Sequence, residues 1–263
     1  MSEPAVLYEV SDYIATVTLN RPENRNSMTE EVLTGFGEAV ARVRADDSLR
    51  CVVFTGKGKS FCAGADFKSQ IQRKGSGKAV LPNERSLGMY QPFLSVLDIE
   101  IPVIGALNGH AIGGGMGLAL VCDIRVANQD AKYGANFTRL GMHPGMATTY
   151  FMPRLMGVPR AAELLLTGRL ITGAEAAEYG LVNYALPADE VWDKSWELAK
   201  EVAGCAPIAN RWTKRSIYQN ANWDPRPAAQ HEADLQSRTL ETADHKEGVS
   251  ALLEKRTPEF QGQ

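Results

Sequence analysis

The chain has 263 residues, of which 44% are hydrophobic, and carries a formal net charge of −3 at pH 7. This length and apolar content allow one large domain, or one domain with an appendage, to bury a sizeable core. The small net charge argues against nucleic acid or an anionic membrane surface as a partner, and no apolar run reaches transmembrane length. The first ten residues lack the charge pattern of a signal peptide, so a cytoplasmic location is expected.

Strands and helices alternate through the first half of the chain. Residues 6–10 and 14–19 are predicted to form a β-hairpin, because β-branched and aromatic residues flank the turn at Ser11 and Asp12. Ser27 or Thr29 caps an amphipathic helix, and a buried strand at 51–55 follows it. The same order of strands and helix recurs twice downstream. It therefore predicts a right-handed α/β superhelix.

Polar and glycine-rich composition interrupts this pattern once. Residues 68–88 contain few apolar residues and are expected to form a mobile segment that admits a ligand, followed by an apolar helix at 90–97. After residue 188 the pattern is wholly helical, with helices predicted at 191–203, 207–220 and 228–254. The predicted organisation is therefore a core over residues 1–190 and a helical C-terminal region over residues 191–263.

The stretch from Ile104 to Ala127 combines a strand, three successive glycines, a short apolar helix and a second strand. Glycines at the start of a helix let unpaired backbone N–H groups approach a ligand, and these groups lie at the positive end of the helix dipole. An anion site is one interpretation. Close packing of the helix on the strand is the other, because glycine motifs alone are not specific.

A second turn of small residues, 60–68, follows the strand at 51–55. Two such turns can converge on one oxygen atom, and paired backbone N–H donors are the usual way to stabilise the oxyanion of a thioester. The four cysteines, at 51, 62, 122 and 205, show no CxxC or CxxH spacing, so reduced thiols are expected and no metal site is predicted. Cys62, inside this turn, is an alternative candidate nucleophile.

Six motifs in the same order resemble the crotonase, or enoyl-CoA hydratase/isomerase, superfamily. They are Leu19-Asn20-Arg21-Pro22, Phe61-Cys62-Ala63-Gly64-Ala65-Asp66, Asn108-Gly109 with Gly113-Gly114-Gly115, Cys122-Asp123, Gly141 with Pro144-Gly145, and Leu253-Glu254-Lys255-Arg256. The resemblance implies an α/β, crotonase-like ββα superhelix with an α-helical C-terminal trimerisation region. It also implies a homotrimer or a dimer of trimers.

The resemblance implies an acyl-CoA substrate, with CoA as part of the substrate and no separate cofactor. The oxyanion hole would consist of the N–H groups of Ala65 and Gly114. The residues implied to contact the substrate or its CoA are Arg25, Ala63, Asp66, Lys68, Gly113, Phe137 and Lys255. Lys255 would reach the nucleotide end of CoA from a neighbouring subunit, and Lys68 would meet its phosphates.

The sequence departs from the family at both catalytic glutamates. Gly117 and Phe137 stand where the family's hydratases carry the two carboxylates that hold and activate water. Neither residue can accept or donate a proton. The resemblance therefore implies enolate stabilisation by the oxyanion hole but puts ordinary hydration in doubt.

Four other side chains are candidates for the missing proton chemistry or for substrate binding. His143 and His110 carry imidazoles, the side chain most often used in acid–base catalysis, Glu84 lies on the polar segment or the helix start, and Arg139 could receive a substrate carboxylate. Each also has a structural interpretation. The function classes that remain open are an acyl-CoA lyase or isomerase, a crotonase-like decarboxylase or hydrolase, and a non-catalytic acyl-CoA-binding protein.

Overall fold

The computed structural model describes residues 3–66 and 81–263. The strands in this part are β1 (Val6–Ser11), β2 (Ile14–Leu19), β3 (Cys51–Gly56), β4 (Ser60–Cys62), β5 (Val103–Leu107), β6 (His110–Ile112), β7 (Ile124–Asn128), β8 (Lys132–Gly134), β9 (Ile171–Thr172) and β10 (Tyr184–Leu186). The α-helices are α1 (Glu30–Ala45), α2 (Pro82–Leu94), α3 (Gly114–Leu120), α4 (Thr148–Met156), α5 (Val158–Thr167), α6 (Gly173–Glu178), α7 (Val191–Ala203), α8 (Pro207–Asn220), α9 (Pro225–Leu240) and α10 (Ala243–Glu254).

Two sheets form the framework. The larger has the order β1-β2-β3-β5-β7-β10, and all of its pairs except the β1–β2 hairpin are parallel. The smaller has the order β4-β6-β8-β9, with β4, β6 and β8 parallel. A strand of the smaller sheet therefore follows each of β3, β5 and β7 along the chain. This repetition confirms the predicted ββα superhelix.

The core lies mainly between the larger sheet, α1 and the smaller sheet. Thr29 is the N-cap of α1, since its hydroxyl accepts a hydrogen bond from Val32 N at 3.2 Å. Phe36 on the buried face of α1 contacts Phe54 and Phe93, with ring centroids 5.2 and 4.9 Å away. The aromatic contacts fix α1 against β3 and α2.

Four helices make up the C-terminal region. The predicted helix at 228–254 is wrong in one respect, because the chain forms α9 and α10 with a break between them. Thr242 begins the second helix by accepting a hydrogen bond from His245 N. Lys214 and Tyr218 of α8 contact the carboxylate of Asp123 at 2.8 and 2.6 Å, which holds this region against the core.

The predicted mobile segment at 68–88 is wrong for residues 82–88, which belong to α2. Pro82 suits the first turn of the helix, and Glu84 accepts a hydrogen bond from Leu81 N at 3.2 Å. Composition alone missed these start signals. Residues 68–80 of that prediction lie outside the described residues. Within the part that the structure covers, no helix combines the length and apolarity needed to cross a membrane.

Candidate active site

The two glycine-containing turns meet beside the N-terminus of α3. Gly64 has a φ of +84°, and Met28 N donates to its carbonyl oxygen at 2.8 Å. A Cβ atom placed on Gly64 would lie 3.1 Å from Gly114 N. The turn that follows β4 and the turn that opens α3 therefore touch each other through atoms that only glycine leaves uncovered.

Two backbone donors remain at this junction. Gly113, with a φ of +58°, uses its own N–H to bond Gly134 O at 2.9 Å, which anchors the start of α3 to β8. Among the described residues, neither Ala65 N nor Gly114 N donates to a backbone carbonyl. Gly114 is also the first residue of α3, where helix N–H groups lack internal acceptors. Both N–H groups are thus available to a ligand oxygen.

Arg25 and Asn26 support the turn that follows β4. Arg25 is in the left-handed region, with a φ of 52°, and its carbonyl accepts a hydrogen bond from Ala63 N at 3.0 Å. Buried Asn26 donates to Ser60 O at 2.8 Å and accepts from Arg21 N at 2.8 Å. Sequence reasoning missed Asn26. The signal was an asparagine in a polar loop, since asparagine tolerates the left-handed conformation.

Cys62 is not placed to act as a nucleophile. Its side chain is fully buried behind the turn, and burial raises the pKa of its thiol to about 12. Cys51 and Cys122 are equally buried, and burial raises the pKa of each to about 12. A reactive cysteine needs the opposite environment, because the thiolate is the reacting form.

Native protein treated with iodoacetamide at pH 8 is expected to carry the label at Cys205 alone, because this thiol is exposed while the other three are buried. Peptide mass spectrometry of native and denatured samples measures the labelled positions. Denaturation should bring labelling of all four cysteines. Rapid native labelling of Cys62 would contradict the assignment of this thiol to the core.

The two positions that the sequence analysis assigns to the family glutamates, Gly117 and Phe137, lie in apolar surroundings. A Cβ atom on Gly117 would overlap the Cβ of Met146 and lie 2.9 Å from its Cγ. The Phe137 ring lies across the turn, 3.9 Å from where a Cβ on Gly113 would stand. Met146 is fully buried. The thioether of Met146 and the ring of Phe137 therefore form an apolar surface on this side of the junction.

The remaining candidates for proton transfer have structural contacts. His110 Nδ1 accepts a hydrogen bond from Lys132 N at 2.9 Å, and exposed His143 places Nδ1 2.7 Å from Pro144 O. Glu84 caps α2. Arg139 is exposed and donates to Thr167 O at 2.9 Å. Each of these side chains therefore has a specific hydrogen-bond partner, which supports its structural interpretation.

Only some of the predicted CoA-binding residues lie at this junction in the described part of the chain. Ala63 and Asp66 flank Gly64 in the turn, and Arg25 is exposed beside it. Lys68 lies outside the described residues. Lys255 ends α10 with a φ of 56° and is exposed. Within this chain Lys255 belongs to the C-terminal helical region and not to the turn.

The sequence model of the enoyl-CoA hydratase/isomerase family matches residues 9–263. The chain belongs to this family. Its crotonase fold is shared with the crystal structure of an enoyl-CoA hydratase from Bacillus anthracis, at a TM-score of 0.91 and 34% identity, covering 98% of this chain and 100% of that one. The family resemblance drawn from the motifs is thereby confirmed.

Named relatives match nearly the whole chain as well. The (E)-benzylidenesuccinyl-CoA hydratase of Thauera aromatica is 36% identical over 262 residues, which is 98% of this chain and 99% of the relative. Enoyl-CoA hydratase domain-containing protein 2 of Bos taurus, a mitochondrial protein, is 36% identical over 260 residues, 95% of this chain and 85% of the relative. These relatives support an enzyme of the enoyl-CoA hydratase/isomerase family.

Proposed function

We propose that the chain binds an acyl-CoA thioester with its carbonyl oxygen between the N–H groups of Ala65 and Gly114, and that it stabilises the enolate form of the acyl group. The observation that carries this proposal is the junction of the two turns, where Gly64 and Gly114 touch and both N–H groups lack a backbone acceptor among the described residues. A thioester oxygen that gains negative charge is the ligand that suits two converging donors.

The physical basis is preorganisation. The donors are backbone groups fixed by Gly113 N to Gly134 O and by Met28 N to Gly64 O, so they need no rearrangement as charge develops on the oxygen. Removing one donor from such a site typically reduces the rate by about 100- to 1,000-fold. The Met28 thioether beside Gly114 and the Phe137 ring beside Gly113 are apolar and strengthen these hydrogen bonds.

Ordinary hydration is not the proposed reaction. The proposed equivalents of the two catalytic carboxylates are Gly117 and Phe137, and Met146 fills the space next to Gly117. Without a carboxylate to hold and deprotonate water, the oxyanion hole supports reactions in which an enolate forms and is protonated. These are isomerisation, proton exchange at the α-carbon, and decarboxylation of a carboxylated acyl group.

CoA recognition is proposed to involve more than one subunit. Arg25 is exposed beside the turn and is proposed to contact CoA, and Lys68 is proposed to meet the phosphates of CoA. Lys255 is proposed to reach CoA from a neighbouring subunit of a homotrimer or a dimer of trimers. Leu252 and Leu253, beside Lys255, are both 78% exposed, which supports a subunit contact at this end of α10.

The test is a mass measurement in D₂O. Purified protein is incubated with butyryl-CoA, crotonyl-CoA and methylmalonyl-CoA, and the product masses are measured by mass spectrometry. Deuterium at the α-carbon of butyryl-CoA, or conversion of methylmalonyl-CoA to deuterated propionyl-CoA, is the expected result. Unchanged masses for all three thioesters, with CoA binding shown by calorimetry, would identify the chain as a non-catalytic acyl-CoA binder.

A further inference from the structure

The enolate chemistry proposed above needs a proton donor, and the candidates found from sequence have other partners. His110 accepts from Lys132 N, Glu84 caps α2, and exposed His143 lies against Pro144 O. Cys62 is buried with a raised pKa. These contacts hold each group in its own surroundings, and Tyr90 is a further candidate that the motifs did not indicate.

Tyr90 brings a hydroxyl to the loop that covers α3. It lies near the end of α2, where its half-buried ring packs against the main core. A Cβ atom on Gly145 would overlap the Tyr90 hydroxyl and would lie 2.8 Å from Cζ. Only a glycine at position 145 lets the hydroxyl approach this closely.

The glycine that Tyr90 contacts directly precedes Met146 in the chain. Gly145, against which the hydroxyl lies, is followed directly by Met146, whose side chain covers Gly117 on α3. Helix α2 also packs against α3 itself. The hydroxyl therefore lies against the residue that precedes Met146, and the Met146 side chain lies beside Gly117, the proposed equivalent of a family carboxylate.

The Tyr90 hydroxyl is free to donate a hydrogen bond. Within residues 3–66 and 81–263, no hydrogen bond involves its oxygen, although Tyr133 in the same core bonds both Leu107 O and Asn128 O. The hydroxyl oxygen is not among the buried side-chain atoms that lack a partner, so solvent reaches it and it is free to donate to a substrate atom.

We infer that Tyr90 is the proton donor of this site and delivers its hydroxyl proton to the α-carbon of the enolate. This inference rests on the proposed function. As the thioester carbonyl re-forms, the enolate electron pair makes the new C–H bond, the O–H bond of Tyr90 breaks, and the phenolate recovers a proton from water. With methylmalonyl-CoA, the enolate arises when the bond to the carboxylate breaks and carbon dioxide leaves.

The experiment compares wild type, Tyr90→Phe and Tyr150→Phe with methylmalonyl-CoA in D₂O. Tyr150 is an exposed tyrosine whose ring contacts Arg154, so its replacement is a matched control. A positioned general acid contributes about 100-fold or more to the rate. Tyr90→Phe should therefore lower deuterium delivery by about 100-fold or more, with unchanged CoA affinity and melting temperature, while Tyr150→Phe matches wild type.

The face of deuteration distinguishes a catalytic from a structural role. Wild type should place deuterium on one face of the α-carbon of propionyl-CoA, whereas residual product from Tyr90→Phe should carry it on both faces because solvent then supplies the proton. If Tyr90→Phe fails to fold, Gly145→Ala tests the same idea by displacing the hydroxyl. If Tyr90→Phe still forms propionyl-CoA at the wild-type rate with deuterium on one face of the α-carbon, the inference is overturned. No turnover by wild type would overturn the proposed function itself.

Discussion

Gly115→Ala is expected to destabilise the protein by about 3 kcal/mol, as overpacked buried sites do, which lowers the melting temperature of a chain of this size by about 6–12 °C. The added Cβ would overlap the carbonyl oxygen of Cys62 and lie 2.8 Å from the Cβ of Cys62. Both neighbours are buried, and β4, which contains Cys62, pairs with β6. The contact cannot relax without moving α3 away from β4.

The same displacement should reduce turnover. Gly115 directly follows Gly114, so a shift of α3 moves the Gly114 N–H away from the turn that contains Ala65. Loss of one aligned donor is expected to lower the rate by about 100-fold or more. Calorimetric melting and the D₂O exchange assay measure the two effects separately.

Gly88→Ala is the matched control for this substitution. Gly88 lies within α2, is exposed, and has no atom within 4 Å of the place that its Cβ would take. Alanine is preferred over glycine in a helix interior by about 0.5–1 kcal/mol, so this variant should melt slightly higher than wild type. Equal melting temperatures for Gly115→Ala and wild type would contradict the packing of α3 on Cys62.

The backbone of the site follows from local sequence. Three glycines after a buried strand indicate a turn that exposes N–H groups, and Gly113 does have a positive φ. Thr29 was one of two candidate caps for α1, and its hydroxyl makes the capping bond. Both features depend on a few consecutive residues. That is why pattern and spacing were enough to predict them.

The side chains that line the site could not be predicted from local sequence. Met146 contacts the position of Gly117 across 29 residues of chain, and Tyr90 meets Gly145 across 55. Such contacts depend on how β7, β8 and the following loop return over α3. A methionine in an apolar run equally fits plain core packing. Only the fold brings Met146 to Gly117 and Tyr90 to Gly145.

Gly117→Glu alone is expected to destabilise the protein and to confer no hydratase activity. The new Cβ would overlap the Cβ of Met146, and overpacking of this kind costs about 1–3 kcal/mol. The glutamate would also bury its carboxylate against a thioether, which is unfavourable without a hydrogen-bond partner. A melting curve and a crotonyl-CoA hydration assay measure both outcomes.

Met146→Gly removes the obstacle to that carboxylate. Met146 has a φ of 57°, a left-handed conformation in which glycine carries no strain, and its loss frees the volume next to position 117. Gly117→Glu, Met146→Gly and Phe137→Glu together place two carboxylates beside the oxyanion turns. Crotonyl-CoA hydration by this triple variant should exceed that of wild type by about 100-fold or more.

The matched control carries glutamine in place of both new glutamates on the Met146→Gly background, because an amide has the same shape but cannot take a proton from water. It should fold like the triple variant and leave crotonyl-CoA unchanged. Hydration by Gly117→Glu alone would show that Met146 does not block the carboxylate. A folded triple variant that binds CoA but does not hydrate would contradict the assignment of positions 117 and 137 to the two acids. Gain of hydration confined to the triple variant would mean that Met146 and Phe137 exclude the water that hydratases activate, while the backbone donors stay in place for enolate chemistry.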